Sequence, residues 1–273
     1  MRKPVEIHGK KDHIPATMTV NGVPFRKMNG LGNDFVVLDL RTHALNLSKS
    51  LVRAIADRET GIGCDQFITI ENARHGGDVF MGIETLGGDL IATAGADALI
   101  TVDMGEPRLK WNEIPLSEEF QDTRAIELEV GPLGAPLMHS PAVVNVGNPH
   151  AIFFVNDIDA IDLGRIGPML ENHPLFPERA NISVAQVIDR SHIQIKVWER
   201  GAGLTLACGT AACATVVAAV RRRKSERNIT VSLPGGDLQM EWRESDNHIY
   251  MTGPSTLDYE GTLDQRFFNG ELA

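Results

Sequence analysis

Short apolar or alternating runs set the pattern of this chain. Phe35-Val36-Val37-Leu38, Phe67-Ile68-Thr69-Ile70, Ala142-Val143-Val144 and Ile152-Phe153-Phe154-Val155 are brief and apolar, so they predict strands. His192-Ile193-Gln194-Ile195-Lys196-Val197-Trp198 alternates with period two, as a strand with one buried face does. Helical spacing is rarer. Leu51, Val52, Ile55 and Ala56 share one face of a segment from Ser48 to Asp57, with Ser48 as its N-cap. Gly209 to Arg223 is rich in alanine and closes, through Lys224, in four cations that suit the negative end of a helix dipole. Many strands and few helices, without regular βαβ alternation, predict an α+β fold.

The chain also repeats itself. Gly87-Gly88-Asp89-Leu90 returns 148 residues later as Gly235-Gly236-Asp237-Leu238, and Gly105 matches Gly253 at the same offset. Leu31-Gly32-Asn33 ahead of Phe35-Val36-Val37 resembles Val146-Gly147-Asn148 ahead of Ile152-Phe153-Phe154, at an offset of 115. Four ordered matches predict two lobes of like topology. The offsets of 148 and 115 differ by 33, so the second lobe holds some thirty-three residues that the first lacks. They fall between the strand near Phe80 and the first Gly-Gly-Asp-Leu turn. In the second lobe this interval carries Glu199-Arg200-Gly201-Ala202-Gly203, then Leu206-Ala207-Cys208-Gly209-Thr210 and the alanine helix. In the first, Met81-Gly82-Ile83-Glu84-Thr85 runs straight into the turn. The expected division is an N-terminal extension over 1–24, a first lobe over 25–135 that is shortened near 81–84, and a second lobe over 136–273.

Composition narrows the class. With 42% hydrophobic and 23% charged residues over 273 positions, the chain can bury a core and is not expected to be disordered. Its net charge of −10 argues against a nucleic-acid protein held by phosphate contacts. The longest apolar stretch, Thr205 to Val220, is interrupted by Cys, Gly and Thr and reads as a helix of a soluble protein rather than a membrane span. Met1 to Met18 is polar and lacks the apolar core of a signal peptide, so the expected compartment is the cytoplasm. Three cysteines, Cys64, Cys208 and Cys213, do not suit a disulfide framework and are expected to be reduced. No C-x-x-C or H-E-x-x-H pair supports a zinc site, and no glycine-rich phosphate loop supports a nucleotide.

A few residues can carry chemistry. Cys208 stands directly before Gly209-Thr210 and a helix, where unpaired N–H groups and the dipole favour a thiolate and could cradle a carboxylate. The alternative is a small buried side chain, which is the reading taken for Cys213. His150, in Gly147-Asn148-Pro149-His150 between two strands, could shuttle protons or be an ordinary surface histidine. Glu199-Arg200, ahead of a glycine-rich turn, could receive an ammonium and a carboxylate, or form an exposed ion pair.

Five segments together resemble the diaminopimelate epimerase family. They are Met28-Asn29-Gly30-Leu31-Gly32-Asn33-Asp34-Phe35, Gly61-Ile62-Gly63-Cys64-Asp65-Gln66, Gly147-Asn148-Pro149-His150, Pro177-Glu178-Arg179-Ala180-Asn181, and the run from Glu199 to Thr210. They occur in consistent order from about Phe25 to the C-terminus. The resemblance implies two similar lobes with the active site in the cleft between them. It also implies interconversion of LL- and meso-diaminopimelate, for lysine and cell-wall precursors, with no cofactor and no metal. On this reading Cys208 is one of the family's two catalytic cysteines, and His150 and Glu199 are the polar groups flanking the thiols. Asn33, Gln66, Asn148, Asn181, Glu199 and Arg200 fall at substrate-binding positions, with Gly209 and Thr210 offering amides to a substrate carboxylate. The implied partner is a small molecule, not a nucleic acid or a membrane, and there is room for a homodimer.

The family has a second Cys-Gly-Asn helix start in its first lobe, and this chain has none. The gap falls where the repeat is already short by thirty-three residues. Cys64 does not replace it, because no Gly-Asn helix start follows. Poor epimerisation by this chain is therefore expected. The alternatives are an inactive homologue or binding subunit, and a single-acid/base isomerase of the same fold.

Overall fold

Two-residue turns and parallel crossovers build this protein twice over. A computed structural model describes residues 3–8, 22–41, 45, 47–71, 79–83, 90–94, 99–132 and 134–263. One unit comprises residues 1–102 and 254–273, the other residues 103–253.

The first unit contains β1 (Lys3–His8), β2 (Pro24–Gly30), β3 (Asn33–Asp39), α1 (Lys49–Ala56), β4 (Gln66–Glu71), β5 (Val79–Ile83), β6 (Leu90–Ala94) and β7 (Leu99–Asp103). Leu31 and Gly32, with φ of 57° and 89°, make the tight turn that pairs β2 with β3. Both φ values are positive, as a turn matching strand twist requires. Helix α1 forms as expected. Ser48 Oγ accepts from the Leu51 N–H at 3.1 Å, and Leu51 and Ile55 are buried with Val36, Leu38 and Cys64.

An ion cluster around the half-buried Asp34 locks the start of β3 to the start of β4. Asp34 accepts from Lys27 Nζ at 2.6 Å, from Arg58 and from the Asp65 N–H, while Asp65 accepts from the Asp34 N–H at 3.1 Å. Lys27 also donates to the Gly63 carbonyl. Burial pushes the Asp34 carboxyl up, and the bonds from Arg58, Lys27 and Asp65 overcome it and hold it far below the usual carboxylate range.

The second unit holds β8 (Glu129–Val130), β9 (Met138–His139), β10 (Ala142–Asn145), β11 (Pro149–Val155), α2 (Leu163–Glu171), β12 (Asn181–Asp189), β13 (His192–Glu199) and β14 (Gly203–Thr205). Helix α3 (Gly209–Arg221) follows, then β15 (Asn228–Leu233), β16 (Gly236–Trp242) and β17 (Ile249–Pro254). A last strand, β18 (Thr256–Thr262), returns to the first unit and pairs with β2.

The repeat holds at the level of register. In the first unit, parallel β3 and β4 place Phe35 opposite Gln66. In the second, parallel β11 and β12 place His150 opposite Asn181. Each residue of the second pair lies 115 positions after its counterpart, the offset of the sequence match. Strand order in the second unit is β10-β11-β12-β13-β15-β16-β17, with α3 crossing between parallel β13 and β15. In the first it is β2-β3-β4-β5-β1-β6-β7. Here the N-terminal strand β1 occupies the place that β15 holds in the second, antiparallel to β5. Six residues separate β5 from β6, too few for a helix of the thirteen residues of α3.

Several expectations change. The units divide at 102/103 rather than 135/136, because Ile114, Leu116, Ile126, Leu128 and Val130 bury against Val143, Phe153 and Ile182. The stretch expected to precede the fold contributes β1. The first Gly-Gly-Asp turn, at 87–89, lies outside the described residues, whereas Gly235-Gly236 turns β15 into β16. Helix α2 was not foreseen, since Gly164, Gly167 and Pro168 interrupt its pattern. Gly167 is required there: a Cβ would come within 2.5 Å of the Trp198 ring. Among the described residues no helix is long and apolar enough to cross a membrane, and no group of three or more His, Cys, Asp or Glu could hold a metal ion.

Candidate active site

One end of the second unit's sheet gathers most of the residues singled out by sequence. Asn145 Oδ1 accepts from the Gly147 N–H at 2.8 Å, and its amide donates to the Glu113 carbonyl at 2.7 Å. This fixes the β10–β11 turn and sets Asn148 and His150 at the head of β11. Strand β12 starts beside it at Asn181, β13 ends at Glu199, and α3 begins at Gly209.

Cys208 is the N-cap residue of α3, with an extended backbone (φ −147°, ψ 103°). Its sulfur is buried and lies 3.4 Å from Thr210 Oγ1. The Glu199 carboxylate, whose Oε1 accepts from Thr205 Oγ1 at 2.6 Å, acts on the thiol through its charge. Burial first, and then the charge of Glu199, push the thiol up to about 12. The helix terminus was expected to favour a thiolate. Its amide and the Thr210 hydroxyl do pull that way, but loss of water and a neighbouring anion outweigh them. At rest the thiol is neutral.

His150 is wholly buried, so the surface alternative fails. Its Nε2 lies 2.8 Å from Asn148 Oδ1. An amide oxygen only accepts, so the ring carries its proton on Nε2. Nδ1 is buried without a partner. Burial, aided by the charge of Arg200, lowers its pKa to about 3, and the imidazole is neutral. Asn148 passes the contact on, donating to Thr210 Oγ1 at 3.4 Å. His150, Asn148, Thr210 and Cys208 therefore form a chain of hydrogen bonds.

Asn181, also buried, spends both ends of its amide on backbone. It donates to the Pro149 carbonyl at 3.0 Å and accepts from the Arg200 N–H at 2.9 Å. The Arg200 guanidinium donates to the Glu178 carbonyl at 2.9 Å. Glu199 and Arg200 thus have separate partners rather than the exposed ion pair of the alternative reading. Gly209 has a packing reason: a Cβ would come within 2.7 Å of Met251 Sδ. Asn33 and Gln66 belong to the first unit, at the starts of β3 and β4 beside the Asp34–Asp65 cluster. Sequence reasoning passed over Glu171, a buried carboxylate at the end of α2. The one signal for it was an acidic residue closing the apolar stretch Met169-Leu170.

The family model described as diaminopimelate epimerase matches residues 142–257. A diaminopimelate epimerase from Afipia carboxidovorans is 48% identical over 279 residues, covering 89% of this chain and 96% of the relative. The chain belongs to the diaminopimelate epimerase family. A Rhodopseudomonas palustris member is 47% identical over 283 residues, covering 91% of this chain and 96% of its own. Since 89% of 273 residues is about 243, roughly 36 of the 279 aligned positions have no counterpart in this chain. A predicted epimerase from Pseudomonas aeruginosa aligns in structure with a TM-score of 0.54 at 16% identity, covering 88% of this chain and 99% of that one. A hydroxyproline epimerase from Agrobacterium vitis gives 0.55 at 9%, covering 89% and 93%. At such identities the likeness carries the fold alone, and it agrees with two α+β units of like topology.

Proposed function

We propose that this chain binds diaminopimelate and transfers the proton at its α-carbon from one face, with Cys208 and Glu199 as the acid–base pair. The observation that carries the reading is the Cys208 thiol, buried at the N-terminus of α3 within the field of Glu199. In abstraction, Glu199 takes the thiol proton. The thiolate, at the N-terminus of α3 and beside the Thr210 hydroxyl, then removes the α-proton and becomes a thiol again. In the reverse direction the same thiol returns a proton to the carbanion. The amides of Gly209 and Thr210 and the Arg200 guanidinium receive a substrate carboxylate and stabilise the charge that develops next to it. His150 stays neutral and orients Asn148 and, through it, Thr210.

Inversion needs a second acid on the opposite face. The family's first-lobe Cys-Gly-Asn helix start would supply it, and three observations support its loss here. The repeat is short by 33 residues, the alignment to the Afipia carboxidovorans relative leaves roughly 36 of its 279 positions without a counterpart in this chain, and six residues join β5 to β6. Losing one oxyanion-type donor alone typically costs ~10²–10³ in rate. The chain therefore exchanges the α-proton with retention and inverts poorly.

Incubation in D₂O with the LL- and meso-isomers separately, following deuterium uptake by mass and configuration by chiral chromatography, tests this. Slow uptake with retention in one configuration, abolished in C208S, is expected. A chain with the Cys-Gly-Asn segment restored inverts. Efficient inversion by the 273-residue chain would refute the half-site account. Binding without exchange would instead favour an inactive binding homologue, the reading that the missing segment also supports. The proposal places the chain in the cytoplasm, and sedimentation velocity decides between a monomer and a homodimer.

A further inference from the structure

Glu171 ties three elements together without belonging to the thiol's surroundings. Its Oε2 accepts from Trp198 Nε1 at 2.7 Å. Its Oε1 accepts from the Gly201 N–H at 3.0 Å and from Arg179 Nη1 at 3.1 Å. Trp198 stands just before Glu199-Arg200 and Gly201 just after. The N–H between them, that of Arg200, goes to Asn181 Oδ1. Side chains from α2 and β12 thus hold two successive amides of the β13–β14 turn. Gly201 and Gly203 take φ of 80° and 87° in this turn, and Gly201 and Ala202 are exposed. The Ala180 N–H also donates to the Glu171 carbonyl at 3.3 Å. The backbone of Glu171, whatever its side chain, thus also ties down the 178–181 segment, whose Glu178 carbonyl and Asn181 side chain Arg200 binds.

The two site residues on the turn depend on it unequally. Glu199 has its own anchor in Thr205 Oγ1 and pairs with Gly203 in the strand ladder. Arg200 is held by Asn181 and Glu178, and its neighbour Gly201 is held by the Glu171 carboxylate. We propose that Glu171 is a positioning residue for Arg200: it fixes where the guanidinium meets a substrate carboxylate, and so governs affinity more than proton transfer at Cys208. The identity of that substrate rests on the epimerase reading; the geometry does not. A carboxylate is required because one cation and two neutral donors converge on two oxygens. Glutamine offers one accepting oxygen and turns an NH₂ toward the remaining donors.

The test compares E171Q with R179A in the full chain. R179A removes the cationic partner and leaves the Gly201 and Trp198 bonds in place. Hydrogen exchange of peptides covering 199–203 reads the turn, calorimetry reads meso-diaminopimelate affinity, and α-deuterium uptake at saturation reads the chemistry. In E171Q the turn should exchange faster and affinity should fall about tenfold, the scale of one hydrogen bond to a charged group. Uptake at saturation should change far less, and R179A should stay near wild type in all three. A merely structural role would lower the thermal midpoint without separating affinity from rate. Unchanged protection over 199–203, equal loss of affinity and rate, or equal effects of R179A would overturn the proposal. If the wild-type chain binds no diaminopimelate, the substrate reading fails, and turn protection alone decides the role of Glu171. E171D, with its charge on a shorter stem, carries the same readouts where E171Q does not fold, and partial recovery of affinity is expected of it.

Discussion

Acid should unfold the second unit through His150 well before its carboxylates titrate. In the folded protein, burial and the charge of Arg200 lower the His150 pKa from 6.5 to about 3. In the unfolded chain the imidazole titrates near its ordinary value. Between those limits the unfolded state takes up a proton that the native state refuses. Stability from this group is therefore fully present above the unfolded value and is lost as pH falls toward 3. One proton costs about 1.4 kcal/mol per pH unit, and the unfolded imidazole is already half protonated at pH 6.5, so lowering the pH to 4.5 should remove about 2 kcal/mol. His248 works in the other direction. Its hydrogen bond to Asp103 raises its pKa, so its contribution is present below the unfolded value and lost as pH rises through the folded one. It is protonated in both states below about 6.5 and adds no slope to the window. Asp122, held down to about 2 by its hydrogen bonds from Arg124, loses its contribution at lower pH. The assay is urea unfolding followed by tryptophan fluorescence, because Trp111, Trp198 and Trp242 all lie within residues 103–253. Wild type is compared with H150Q, which keeps an N–H for Asn148 and does not titrate. H150Q should lose little stability between pH 6.5 and 4.5 while wild type falls steeply. Equal slopes would mean that His150 protonates normally in the folded protein, and that its burial does not hold the ring neutral.

Two further perturbations bear on the cysteines and on the first unit. Iodoacetamide near pH 7.5 should modify Cys64 before Cys208 or Cys213, because burial pushes the last two thiols furthest up; peptide mass analysis reads the order, and preferential labelling of Cys208 would restore the thiolate. D34N leaves Lys27 buried without its carboxylate, a change that typically costs ~3–5 kcal/mol. Hydrogen exchange should accelerate in peptides of β2, β3 and β4 while tryptophan-monitored unfolding of 103–253 is unchanged, and uniform protection in D34N would count against the ion cluster as the lock between Asn33 and Gln66.

Much of the fold follows from local pattern. The runs at Phe35, Phe67, Ala142, Ile152 and His192 all lie in strands, because period two and β-branching act over a few residues. Ser48 caps α1 and the alanine run forms α3, each on signals within one turn of the helix. The offset of 115 reappears as a strand register, since both copies of the segment solve the same packing problem. That Cys208 would head a helix was equally legible.

What the side chains do at that position was decided elsewhere. A helix end lowers a thiol's pKa through nearby dipoles, while burial and a carboxylate from another strand raise it. Which prevails depends on the burial of the sulfur and on the charge of Glu199 at the end of β13, features that no spacing within Glu199 to Thr210 reveals. The same holds for His150, which looks like a loop residue and becomes a buried one when β12 pairs alongside. It holds for α2, where Gly167 breaks the helical pattern because the Trp198 ring needs the space, and for Glu171, whose three donors come from segments separate in sequence. Residues 103–135 join the second unit for this reason too, since their apolar side chains find their partners on β10, β11 and β12. Periodicity and caps are short-range and written in order along the chain; desolvation is a property of the assembled core, and only the tertiary structure sets it.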